Sequence, residues 1–489
     1  LEYSDCPSCG GSRLNAEARS VIVNGLPIDR CGEMELTELD VFLAETAEKP
    51  DSEGEIALPL VRKMRGIIGY LIGIGVGYLS LSRGVATLSG GEAQRLKMAR
   101  QMDCDLTGLL YILDEPSIGL HPRDTGSLIT MLRGLMEKGN SVLVVEHDPQ
   151  VIEAADYVID VGPEAGKLGG KIEFTGTVAE LKESESLTGK LLKEPRRGAS
   201  RRRPWKDTYL IENASLHNLK GISVRIPKGI FTCVTGVAGS GKSTPINDIF
   251  VAQEPEAVVI DQGAIGRSSR STPATYTGIF DLIRKEFASH TNSDPSLFSF
   301  NSSGACPACK GQGSVRIEMN FMDDVQILCD SCEGKRYTDE VLSLAYKGKN
   351  IFEALSMTVE EAEGFFAAPA IKKQLKVLRE VGLGYLEIGQ PVSSLSGGEA
   401  QRLKLAGELK NSGNLYIMDE PTTGLHMADI ERLMRIIHTL ADRGNTVVVI
   451  EHNLDVIAQA DWIIDLGPDG GRAGGYLVAE GRPEDIAAC

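Results

Sequence analysis

The segment Gly236-Val-Ala-Gly239-Ser-Gly241-Lys242-Ser243-Thr244 has the spacing of a phosphate cradle, G-x-x-x-x-G-K-[ST]. Its glycines let backbone N–H groups curl around phosphate oxygens, Lys242 reaches the β and γ oxygens of a nucleoside triphosphate, and the Ser243 hydroxyl ligates Mg2+. Two further segments supply the rest of a hydrolytic set. Leu415-Tyr-Ile-Met-Asp419-Glu420 ends an apolar run in two carboxylates, of which Asp419 holds Mg2+ and Glu420 polarises a water. Thr446-Val-Val-Val-Ile-Glu-His452 ends in a histidine positioned to touch a γ-phosphate. A Glu at a strand end is usually a surface charge and a lone His is usually packing. Their recurrence as Glu115 and His147, each after an apolar run, favours chemistry.

Ser89-Gly90-Gly91-Glu92 and Ser396-Gly397-Gly398-Glu399 each open a helical stretch, with Ser as N-cap and exposed N–H groups behind it. Two near-identical copies favour an anion site, for a phosphate brought from elsewhere, over a merely capped helix. Cys306-Pro-Ala-Cys309 and Cys329-Asp-Ser-Cys332 lie 19 residues apart, with Gly311 and Gly334 following at the same offset. Two such knuckles joined by a hairpin offer Zn2+ its four thiolates, and a closed set of four cysteines is structural rather than catalytic. Cys6-Pro-Ser-Cys9 is half of such a module, and metal binding there is not expected.

The elements that must position these groups are strands ending at the P-loop, at Asp419 and at His452, with helices between them, which is an α/β fold. The chain also repeats itself. Leu88–Ala99 returns as Leu395–Ala406 with a single change, Met98 to Leu405; Tyr111–His121 returns as Tyr416–His426; Gly77-Tyr78-Leu79 returns as Gly384-Tyr385-Leu386. Two homologous halves are joined by a basic, Pro-bearing stretch that reads as a linker, Glu194 to Lys206.

Composition narrows the partners. With 51 Lys and Arg against 68 Asp and Glu, the net charge is −17, so any nucleic-acid site must be a local patch. No apolar run reaches the roughly 18 residues of a membrane span. The nearest, Ile67–Leu81, is interrupted by Gly69, Gly73, Gly75 and Gly77. Six of the ten cysteines sit in C-x-x-C pairs, a usage that fits metal chemistry in a reducing, cytoplasmic compartment.

Signature-like LSGGEAQR, the cradle, the Asp-Glu strand and the switch His resemble the ATP-binding-cassette ATPases. The combination with DEPTTGLH, VIEHNLDVI, the Asn218-Leu-Lys220 approach to the loop and the interposed four-cysteine set is similar to the UvrA family, the damage-recognition subunits of the bacterial excinuclease. That resemblance implies tandem cassette heads with helical signature domains and a zinc module. Residues 1–193 would be a partial first head without a Walker A loop, 194–207 the linker and 208–489 the second head. ATP would lie between one head's Walker A and the other's signature.

One complete site is then expected: Gly236, Gly239, Gly241, Lys242, Ser243, Thr244, Asp419, Glu420, His452 and the Q-loop-like Gln262, closed by Ser89 and Gly91. A second, incomplete one holds Asp114, Glu115, His147, Ser396 and Gly398. The resemblance also implies binding of lesion-bearing double-stranded DNA through Arg267, Arg270, Ser271 and Lys310, by backbone contact and duplex deformability. A homodimer and a UvrB-type helicase are the implied protein partners. Because the chain starts at Leu1 and opens within the first repeat, a fragment is expected.

Two features put turnover in question: Pro245 follows the cradle, and the stretch from Pro245 to Gln262 is short for the family. Alternatives are a related cassette ATPase for drug resistance and a remnant that binds without hydrolysing.

Overall fold

The computed structural model describes residues 6–48, 52–88, 90–102, 107–163, 169–194, 198, 202–261, 263, 270–317, 325–409 and 415–488. They fall into two compact units, one built from 1–158, 194–255 and 448–489, the other from 159–193 and 256–447.

In the first unit the P-loop strand, Phe231–Gly236, is buried at all six positions. Its β-branched and aromatic content suits a parallel strand covered on both faces. It lies parallel to Trp462–Gly467, from Thr232 opposite Trp462 to Gly236 opposite Leu466. Tyr476–Gly481 then pairs antiparallel with Trp462–Gly467. On the other side, the Glu451 N–H just past strand Thr446–Ile450 donates to Val234 O at 2.9 Å.

A buried carboxylate fixes where the P-loop strand begins. Asp461 accepts from the Phe231 N–H at 3.0 Å and from Arg203 Nη1 at 2.9 Å. Arg202 donates to Glu484 Oε1 at 2.6 Å and to Ala460 O at 2.7 Å. At these two arginines the expected linker is bound into the base of the sheet by ion pairs, and it is not a free cationic patch. Arg196, Arg197 and Arg201 of the same stretch lie outside the described residues.

The first repeat also contributes to this unit. Helices Leu36–Ala47 and Ser52–Gly73 pack together, and the glycine-broken apolar run completes the second helix and the turn after it. Ile68, Ile74, Val76 and Leu79 are buried there beside Leu36 and Leu39. No helix among the described residues is long and apolar enough to cross a membrane. The signature helix Gly90–Met102 follows, then strand Leu110–Asp114, parallel to Ser141–Val145. Helix Pro122–Glu137 between them buries Thr125, Leu128, Leu132 and Leu135, a three-to-four-residue spacing that keeps one face inward.

In the second unit strand Val258–Ile260 lies parallel to Leu415–Asp419. The signature helix Gly397–Glu408 opens on a reciprocal capping box between Ser396 and Glu399. Helix Met427–Asp442 turns Ile430, Leu433, Met434 and Ile437 inward. A two-stranded hairpin, Ser314–Ile317 with Val325–Leu328, joins the two cysteine knuckles. Beside it Phe280 stacks on Phe300 with ring centroids 4.8 Å apart.

Candidate nucleotide site and four-cysteine cluster

The cradle is shaped by glycines that nothing else could replace. Gly236 has φ 142° and Gly241 φ 92°. A methyl group on Gly236 would collide with Leu466 O, and one on Gly241 would lie 2.6 Å from Asn218 Oδ1. Asn218 Nδ2 in turn donates to Gly239 O at 3.0 Å, so the Asn218-Leu-Lys220 approach buttresses the loop. Lys242 Nζ is folded onto the carbonyls of Gly236 and Val237, at 2.9 and 3.1 Å. A cradle with room for no side chain and an ammonium held at its mouth fits a polyphosphate.

After the cradle, Ser243 caps a π-helix, Thr244–Phe250, in which Pro245 is the second residue. A proline there lacks an N–H that would have no intrahelical acceptor anyway. The cost expected for a proline deeper in the helix does not arise.

The same unit brings first-repeat residues to the loop. The Tyr78 ring lies against Gly239 and Gly470, and Arg123 Nη2 reaches Asp469 Oδ1 at 3.0 Å. His121 is held at the start of helix Pro122–Glu137, its Nδ1 accepting the Arg123 N–H at 3.2 Å. That bond leaves the proton of the neutral ring on Nε2. Burial, with the positive field of Lys242 and His452, pushes the His121 imidazole down to about 4. Gly91 is tightly placed, since a methyl on it would lie 3.0 Å from Ile118 O. Ser89 and Gln262 lie outside the described residues.

Both Asp-Glu strands end alike. Glu115 and Glu420 sit at φ 44° and 45°, in the left-handed region. For a non-glycine residue that conformation costs on the order of 1 kcal/mol and is typical of sites where function imposes the geometry. In the first repeat His147 Nδ1 is 3.7 Å from Glu115 Oε1. Burial raises the Glu115 carboxyl above its ordinary value, opposed by His147. The switch histidines are set by the glutamate before each. Glu451 accepts from the N–H groups of His452 and Asn453 at 2.9 and 3.0 Å, and Glu146 does the same for His147 and Asp148 at 3.0 and 3.1 Å.

The structure thus gathers Lys242, Ser243, Thr244, His452 and Gly91 in one compact unit, with Asp114, Glu115 and His147. Asp419, Glu420, Ser396 and Gly398 belong to the other. Sequence reasoning missed residues that pack or bond around them: Tyr78, Gln94, His121 and Glu146, with counterparts Tyr385, Gln401, His426 and Glu451. Their exact recurrence in the repeat was the available signal.

In the second unit the sulfurs of Cys306, Cys309, Cys329 and Cys332 are buried and lie within 4.8 Å of one another. Cys309 and Cys332 are 3.6 Å apart, close to the roughly 3.8 Å edge of a tetrahedron with Zn–S bonds of about 2.3 Å. Each knuckle turns through the same pair of left-handed residues, Lys310 with Gly311 and Glu333 with Gly334. The residues therefore fit structural zinc. Cys6 and Cys9 form a similar turn, Gly10 N donating to Cys6 O at 2.7 Å, but Cys6 is exposed.

Arg270 Nη2 donates to Lys310 O at 2.7 Å, and the two residues line an open polar cleft of about 260 Å3 with Asn301, Ser302, Cys306 and Pro307. Ser271 is held nearby by its carbonyl, which accepts the Val392 N–H at 2.8 Å. Arg267 lies outside the described residues.

A phosphate cradle on a buried parallel strand, repeated Asp-Glu strands and two signature helices, the second opening on a capping box, define the ATP-binding-cassette class, and residues 219–423 match the family described as ABC transporter. Within that class the chain belongs to the UvrA family. It is 49% identical over 520 residues to UvrABC system protein A of Aquifex aeolicus, covering 99% of this chain and 56% of the relative. It is 46% identical to that of Thermus thermophilus, covering 100% of this chain and 55% of the relative. The solved structure of UvrA2 from Deinococcus radiodurans superposes with a TM-score of 0.90 at 43% identity, covering 99% of this chain and 64% of that one. The chain spans about half the length of the curated relatives it matches.

Proposed function

We propose that the chain is the ATP-hydrolysing, DNA-binding part of a damage-recognition protein of nucleotide excision repair. The observation that carries this is the meeting, in one compact unit, of the second repeat's cradle with the first repeat's Tyr78, Gly91 and His121. A nucleotide seated on the cradle would be read by both heads, and its hydrolysis would alter the grip on distorted duplex. Lys242 binds the β and γ oxygens, Glu420 orients and deprotonates the attacking water, and His452 senses the γ-phosphate, with Gln262 as the Q-loop contact. Ser243 and Asp419 would hold Mg2+, which supplies charge neutralisation at the transferred phosphoryl group, and Thr244 closes the nucleotide loop beside Ser243. Zinc on the four cysteines has a folding role.

Arg270, Ser271, Lys310 and Arg267 would contact the phosphate backbone of lesion-bearing DNA. The protein partners would be a second copy and a UvrB-type helicase, in the cytoplasm. The names carried by the relatives favour repair over drug resistance.

The test is salt-dependent binding to lesion-bearing and undamaged duplexes, with and without ATP, for the chain and for Lys242→Ala. We expect a preference for the lesion that responds to nucleotide in the parent and not in the variant. Equal affinity for both duplexes in every nucleotide state would reject the function.

A further inference from the structure

The Gly-Tyr-Leu repeat takes no step in the hydrolysis proposed above, yet its tyrosine joins two parts of the site. Tyr78 Oη donates to Glu92 Oε1 at 2.6 Å, and Tyr385 Oη donates to Glu399 Oε1 at 2.6 Å across the same spacing of 14 residues. Glu92 is the third residue of the signature helix Gly90–Met102 and only 6% exposed, so the bond grips the helix at its phosphate-facing end. Its other oxygen lies 3.6 Å from Arg83 Nη2.

The ring is seated just as firmly on the second repeat's cradle. Gly239, at φ 72°, has no room for a methyl group, which would lie 2.8 Å from the Tyr78 ring. A methyl on Gly470 would lie 3.0 Å from that ring, and one on Gly471 would lie 2.9 Å from Tyr78 Cβ. Gly471 N donates to Gly239 O at 3.0 Å, which locks the glycine-rich turn to the loop. A rigid aromatic body thus rests on the cradle while its polar tip holds the signature helix.

We propose that Tyr78 is a positioning residue that sets the signature helix against the cradle of the other repeat, so that movement of the loop on nucleotide binding is passed to Gly90–Glu92 through the Tyr78–Glu92 bond. The role rests on the ATPase activity proposed above. It assigns Tyr78 to closure of the site, not to nucleotide affinity, because the cradle itself binds the phosphates.

The experiment compares Tyr78→Phe, Glu92→Ala, Glu92→Gln and the Tyr78→Phe/Glu92→Ala double variant in the full chain. Each is followed by steady-state hydrolysis and by amide exchange over residues 90–95. Loss of one hydrogen bond to a buried charge should lower kcat about tenfold in Tyr78→Phe, with KM for ATP within about twofold, and should speed exchange at the helix start by a similar factor. Glu92→Gln, whose amide oxygen still accepts the phenol proton, should restore both. The double variant should be no worse than the worse single one.

Tyr78→Phe matching the parent in both readouts would overturn the role, as would a change confined to KM or a fully additive double variant. If the parent chain does not hydrolyse ATP, the proposed function fails, and exchange over 90–95 alone decides whether Tyr78 holds the helix.

Discussion

The side-chain amide of Gln401 donates to the backbone carbonyl of Asp419 at 2.8 Å, and Gln94 does the same to Asp114 at 2.5 Å. The signature helix therefore holds the end of its own head's Asp-Glu strand. Gln401 Nε2 also reaches Ile260 O at 3.3 Å, and Lys404 Nζ reaches Asp261 O at 3.0 Å, next to Gln262. Gln401→Leu fills the same space without a donor and strands buried carbonyls, at about 1–3 kcal/mol. Turnover should fall about tenfold, with ATP affinity within about twofold of the parent, as read by phosphate release and nucleotide titration.

His121 predicts a pH dependence with a definite sign. Its folded value, about 4, lies below the ordinary histidine value of 6.5, because burial and the charges of Lys242, His452 and Arg123 disfavour the imidazolium. Between those values the unfolded chain binds a proton that the folded chain does not, so stability rises with pH across the window. The contribution is complete above about 6.5 and is lost as pH falls toward 4. His121→Asn keeps a helix-capping acceptor and removes the titration. Its urea midpoint should change less than the parent's between pH 7 and 4, on a pH grid measured for both proteins.

The cradle, the strand ending in Asp-Glu and the capped helix were legible because each is written in local spacing, within a dozen residues. The fold class followed from the same runs. Pairs that act across the chain were not legible. Nothing local to Tyr78 names Gly239 as its seat, and nothing local to Arg203 names Asp461. The basic stretch reads as a linker because its charges and proline are adjacent, whereas the partners that bind Arg202 and Arg203 lie far along the sequence. The left-handed backbone of Glu115 and Glu420 is equally silent, since glutamate carries no preference for that conformation.

Asp461 is the buried anchor of the P-loop strand, and removing one partner of a buried ion pair leaves the other uncompensated. Asp461→Ala should cost about 3–5 kcal/mol. Arg203→Ala leaves the carboxylate with the Phe231 N–H and should cost less. Chemical denaturation of both variants, followed through the tryptophans Trp205 and Trp462, whose rings meet edge to face at 5.7 Å, checks the order. A smaller loss for Asp461→Ala than for Arg203→Ala would contradict it.

Zinc removal should act locally. The four cysteines flank the Ser314–Leu328 hairpin, and zinc bound to them would contribute on the order of 10 kcal/mol to folding such a module. Cys329→Ser should lose the metal and expose residues around the hairpin to protease. The cradle, on a different strand system, should keep its nucleotide affinity. Metal content, limited proteolysis and nucleotide titration of the same preparation separate these effects.

Charge and position at the polar cleft can be separated for DNA. Lys310→Gln removes one cation and should weaken lesion-bearing and undamaged duplexes equally, lowering the slope of log affinity against log salt by about one. Arg270→Lys preserves charge but cannot keep the guanidinium fork that reaches Lys310 O at 2.7 Å. If Arg270 serves mainly to hold the Lys310 turn, Arg270→Lys should weaken binding as much as Lys310→Gln while leaving the salt slope at the parent value. If Arg270 is itself a phosphate contact, Arg270→Lys should bind nearly as well as the parent, and Arg270→Gln should lower the slope by about one. Titration of both duplexes at several salt concentrations distinguishes the two roles.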